Sequence, residues 1–114
     1  MTIHTISSYR LKSKAVSTNK TFTAENGIIF SIFESIDSKS FAHYYIVETK
    51  CEKEYNCKIT PLAHLHISKN TGNVKIESFQ PEIWNLKTSC EDFVENIRNA
   101  IPGMCNAKEK IIAC

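Results

Sequence analysis

"PLAHLHISKNTGNVKIES", residues 61–78, sets two histidines one residue apart just before a turn. Ala63, Leu65 and Ile67 alternate with His64, His66 and Ser68. A period of two is that of a strand with one buried face. The following KNTG, residues 69–72, supplies the glycine that a short hairpin loop takes at its left-handed position. The stretch therefore predicts a β-hairpin with arms at Lys58–Ser68 and Asn73–Phe79. With Ile59, Ala63, Leu65 and Ile67 turned to the core, His64 and His66 fall on the more polar side of the sheet.

Upstream, "FAHYYIVET", residues 41–49, alternates Phe41, His43, Tyr45 and Val47 against Ala42, Tyr44, Ile46 and Glu48. Both sets are largely apolar, so this arm is expected as a central strand. DSKS, residues 37–40, is expected as the turn joining it to "GIIFSIFESI", residues 27–36. That segment fits a strand face through Ile28, Phe30, Ile32 and Ile36, and also a helical stripe through Ile28, Ile29, Ile32, Phe33 and Ile36. Its β-branched and aromatic density, with Gly27 at the start, favours the strand. Ile3 to Val16 alternates weakly, with Tyr9, Leu11, Ser13 and Ala15 against Arg10, Lys12 and Lys14, and is expected as one strand.

Downstream, "TSCEDFVENIRNAI", residues 88–101, repeats Cys90, Phe93, Val94, Ile97 and Ile101 at the spacing of one helical face. Thr88 with Glu91 has the pattern of a capping box, and Pro102-Gly103 supplies a stop. EIWNL, residues 82–86, is expected as a last strand or a turn that plants Trp84 in the core. The tail from Met104 is expected as a short helix or strand. The fold expected is α+β: a hairpin-rich single antiparallel sheet of about five to six strands with the amphipathic C-terminal helix packed on it. At 114 residues and 42% apolar composition the chain buries one core, so residues 1–114 are expected as a single domain.

The formal net charge of +2, from 14 basic and 12 acidic residues, is too even to imply nucleic acid or an anionic membrane by itself. The N-terminus lacks the apolar core of a signal peptide, and no stretch approaches the roughly 20 apolar residues of a spanning helix. An intracellular location, cytoplasmic or nuclear, is therefore expected. The five cysteines, Cys51, Cys57, Cys90, Cys105 and Cys114, show no paired zinc-site spacing, and free thiols are expected. A Cys51–Cys57 bridge across EKEYN is the alternative. Cys90 lies in the first turn of the helix, where the dipole favours a thiolate. Its place in the apolar stripe makes it structural instead.

Three groups of residues point to function. Tyr44 and Tyr45 offer aromatic surface to a protein partner. Arg10, Lys12 and Lys14, with Lys20 beyond, form a stripe that meets phosphates, or else the lysines of a guarded edge strand. His64 and His66 are spaced to present two imidazoles on one face, about 7 Å apart. A metal site needs further ligands, for which His43 and Cys57 are the candidates. Without them both histidines are expected as bystanders and no cofactor is expected. HLHIS is also similar to histidine-rich strand motifs of nucleotide-handling hydrolases, without their third histidine.

The closing "EIWNLKTSCEDFVENIRNAI", residues 82–101, is similar in pattern to the end of a pleckstrin-homology-like domain. That resemblance implies a small binding module. The expected function is a non-catalytic protein-interaction module, an adaptor, assembly factor or inhibitor, whose partner is another protein or a second copy in a homodimer. The first alternative is a binder of nucleic acid or phospholipid headgroups through the basic stripe. The second is a small metal-dependent or acid-base enzyme centred on His64 and His66.

Overall fold

The alternating segments pair into one sheet, seen in a computed structural model that describes residues 2–7, 12–36, 40–54, 56–57, 61–68, 70 and 74–100, the side chains of 56–57 and 98–99 excepted. Its strands are β1 (His4–Ser7), β2 (Lys12–Thr23), β3 (Ile29–Ser35), β4 (Phe41–Glu48), β5 (Asn56–Cys57), β6 (Ala63–Ser68) and β7 (Val74–Phe79). They lie in the order β5-β1-β2-β3-β4-β6-β7. Every pairing is antiparallel except the short parallel contact of β5 with β1. One helix follows near the C-terminus, α1 (Cys90–Ala100). The chain is thus a small α+β domain built on an antiparallel sheet.

The segment expected as one strand from Ile3 to Val16 is two, with His4 opposite Ala15 and Ser7 opposite Lys12. Nothing in its weak alternation marks the reversal. The expected sides hold where they are described, with Ala15 buried and Lys12 and Lys14 exposed, while Tyr9, Arg10 and Leu11 lie outside the described residues. Residues 27–36 follow the strand alternative, and β4 is central, between β3 and β6. Between β2 and β3 the chain turns at Gly27, whose φ of +87° lies where a side chain is strained. The Ala24 carbonyl accepts from the Gly27 amide, and the Asn26 side chain accepts from the Ile28 amide.

Both sheet faces are partly buried. On one, Phe22, Phe30, Ile32, Ile46, Leu65 and Ile76 join a cluster that includes Phe93, Val94 and Ile97 of α1. Phe93 stacks on Phe79 at 4.6 Å between ring centroids and meets Phe22 edge-on at 5.3 Å. Burying a side chain of this size contributes about 1.5–3 kcal/mol. EIWNL forms a 3-10 turn, Pro81–Trp84, and Trp84 is half-buried against the same cluster. On the opposite face, Ile6, Ala15, Phe33, Tyr45, Val47 and Cys51 form a smaller cluster.

The helix starts differently from the expected capping box. Ser89 caps it: its hydroxyl accepts from the Asp92 amide at 3.1 Å. Thr88 instead donates to Glu25 at 2.6 Å, and the same carboxylate oxygen accepts from the Lys87 amide at 2.7 Å. Thr88 thus ties the approach to α1 onto the β2–β3 turn. Arg10, Ile59, the loop KNTG save Asn70, Cys105 and Cys114 lie outside the described residues, as does the expected tail element.

Candidate metal centre

In the β4–β6 pairing, His43 stands opposite His66 and Tyr45 opposite His64. Directly opposed residues share a face with Cβ atoms about 4.5–5.5 Å apart, and the diagonal neighbour remains within reach of long side chains. Register therefore brings together three imidazoles from two strands. His43 and His66 have ring centroids 3.8 Å apart, His64 and His66 4.7 Å, and His43 and His64 5.5 Å. One ligand nitrogen from each ring lies within 4.8 Å of the others, and all three residues are half-buried.

The tightest link is between His43 Nδ1 and His64 Nε2, at 3.3 Å. A tetrahedral zinc ion with nitrogen donors at about 2.0–2.1 Å holds them about 3.3–3.4 Å from each other. Two of the three nitrogens are thus already at the spacing of one coordination sphere. The third lies within 4.8 Å of both. The 3.3 Å contact is a hydrogen bond with its proton on one of the two nitrogens, a place that an ion held by both would take.

The lowered basicity of the rings favours ligation. Burial, followed by the charges His66 and His43 would carry, lowers the pKa of His64 from 6.5 to about 4. His66 is also lowered, first by burial and then by His43, with Glu77 opposing. Both rings are neutral at neutral pH, so their lone pairs are free for a metal. His66 Nδ1 lies 3.5 Å from Glu77 Oε1. His66 Nε2 is buried and has no hydrogen-bond partner among the described residues. A carboxylate behind one nitrogen and an unsatisfied second nitrogen is the arrangement of a metal-binding histidine with its outer-shell support. Glu77 in turn bonds Lys75 at 3.1 Å, which is the main reason its own pKa is lowered. Tyr45 closes the inner side, stacked on His64 at 4.7 Å.

The other expected site residues fall elsewhere. β5, which carries Cys57, lies across β1, β2 and β3 from β4, about 19 Å away at ordinary strand spacing. That distance removes Cys57 as a ligand. Tyr45 is only 2% exposed and belongs to the core, so it offers no partner surface. Tyr44 is half-buried, and its hydroxyl pKa is pushed up to about 12 by burial and then by Glu34. Lys12 and Lys14 are exposed and line an open depression with Thr5 and Ser13. Lys20 is exposed beyond the irregularity between Ser17 and Lys20.

Cys51 and Cys90 are both disulfide-bonded, which corrects the expectation of free thiols for these two. They pack against different clusters on opposite faces of the sheet, which assigns them to separate bonds. The side chain of Cys57, the alternative partner of Cys51, lies outside the described residues. No helix among the described residues is long and apolar enough to cross a membrane. The chain matches no known protein family, no curated protein and no solved structure, so neither the pleckstrin-homology-like nor the hydrolase resemblance gains support from relatives.

Proposed function

We propose that this protein binds one divalent first-row transition ion, zinc foremost, through His43, His64 and His66. The observation that carries the reading is the 3.3 Å spacing of His43 Nδ1 and His64 Nε2, with His66 beside them. Neutral imidazoles suit zinc, copper and nickel better than the hard cations, which take oxygen ligands. His43 supplies the donor that the pair of histidines in the sequence lacked. The non-catalytic interaction module loses the aromatic surface that supported it in part, since Tyr45 is buried and Tyr44 half-buried. Titration calorimetry tests it. One zinc per chain is expected, and His43→Ala, folded by circular dichroism, is expected to lose that heat. A wild-type chain that takes up no zinc would overturn it.

The depression flanked by Lys12 and Lys14 supports a second reading, attraction of phosphate-bearing ligands. Binding of this kind weakens steeply with salt, and Lys12→Gln with Lys14→Gln should abolish it. Two disulfide-bonded cysteines support maturation in an oxidising compartment over the intracellular location expected from the sequence.

A further inference from the structure

Resting on the metal-binding reading, we infer that the ion keeps one coordination position open and that this position takes a small monodentate anion. Three observations carry this. The ligand group contains three histidines and, among the described residues, no fourth His, Cys, Asp or Glu joins it. Glu77, the carboxylate beside His66, meets both His66 Nδ1 and the Lys75 ammonium through Oε1 and is not part of the ligand group. All three histidines rise from one face of the β4–β6 ladder. An ion held by them would have the sheet on its inner side, and its open position would face outward past the half-buried rings. Sites with three protein ligands hold water or an exogenous ligand in the fourth place, unlike four-ligand structural sites.

The class of ligand follows from charge. Three neutral imidazoles leave the ion's two positive charges uncompensated. Burial of the rings weakens screening by water, so a negative fourth ligand is favoured over a neutral one. Lys75, opposite His66 in the β6–β7 register, bonds Glu77 at 3.1 Å, so its ammonium offsets that carboxylate's negative charge at the rim. A monodentate anion fits, because one position is open and the flanking rings crowd a second.

Cobalt(II) reports this directly, since its visible bands respond to the number and kind of ligands. The full-length protein loaded with one cobalt per chain is titrated with sodium azide at constant ionic strength. The bands are expected to shift saturably with one azide per cobalt. Lys75→Gln is expected to bind cobalt at the same stoichiometry and azide several-fold more weakly. Cobalt bound one per chain with bands that azide leaves unchanged would mean a closed site, and would overturn the inference while sparing the metal-binding reading. Failure to bind cobalt at all would overturn both.

Discussion

His43 and His66 face each other across β4 and β6, their ring centroids 3.8 Å apart, and this one pairing turns a two-histidine strand into a three-histidine cluster. Replacing His43 with alanine should cut zinc affinity well beyond the roughly 10–100-fold loss that outer-shell changes cause. Glu77→Gln should fall within that range, because the amide still accepts from His66 Nδ1 but no longer raises the ring's basicity. Competition titrations with a zinc-sensitive dye measure both. Equal, small losses in the two variants would place the ion elsewhere.

The hairpin carrying His64 and His66 was legible because Ala63, Leu65 and Ile67 keep a strict period of two around an obvious turn. The helix was equally plain in the spacing of Phe93, Val94 and Ile97. His43 was visible as a residue but not as a neighbour, since a strand's period fixes which face a side chain takes and not which residue stands across from it. Register arises from pairing between segments about twenty residues apart. The β1–β2 hairpin was hidden because polar residues on both arms blur the alternation. Thr88 was mistaken for the cap because Ser89, one residue on, has the same chemistry, and only the tertiary partner Glu25 separates them.

Acid should expose the burial of His64. Its folded pKa, about 4, lies below the ordinary 6.5, so as pH falls the unfolded chain takes up this proton first. Stability of the metal-free protein should therefore be level above pH 6.5 on this group's account and decline from there toward pH 4. Urea unfolding at a series of pH values measures the decline, and His64→Gln should flatten it. An NMR titration of the His64 ring with a midpoint near 6.5 would contradict the assignment.

Phe93 touches both Phe22 and Phe79, so its removal tests whether α1 is held to the sheet. Phe93→Ala should cost roughly 3–5 kcal/mol of stability in denaturant unfolding. A loss below about 1 kcal/mol would show that the helix contributes little to the core.

The two hydroxyls before the helix should differ in how they respond. Ser89→Ala removes the cap and should cost about 1 kcal/mol. Thr88→Ala leaves the helix end intact but removes the main cause of the lowered Glu25 pKa, so it should raise that pKa in an NMR titration while Ser89→Ala leaves it in place. The reverse pattern would restore Thr88 as the cap.

The most direct test is the position of the ion itself. Crystals of the zinc-loaded protein measured on both sides of the zinc absorption edge should show one anomalous peak per chain on the β4–β6 face. Nitrogens of His43, His64 and His66 are expected at about 2.0–2.1 Å from it. A peak bound by other residues, or zinc-loaded crystals with no peak near these three rings, would contradict it.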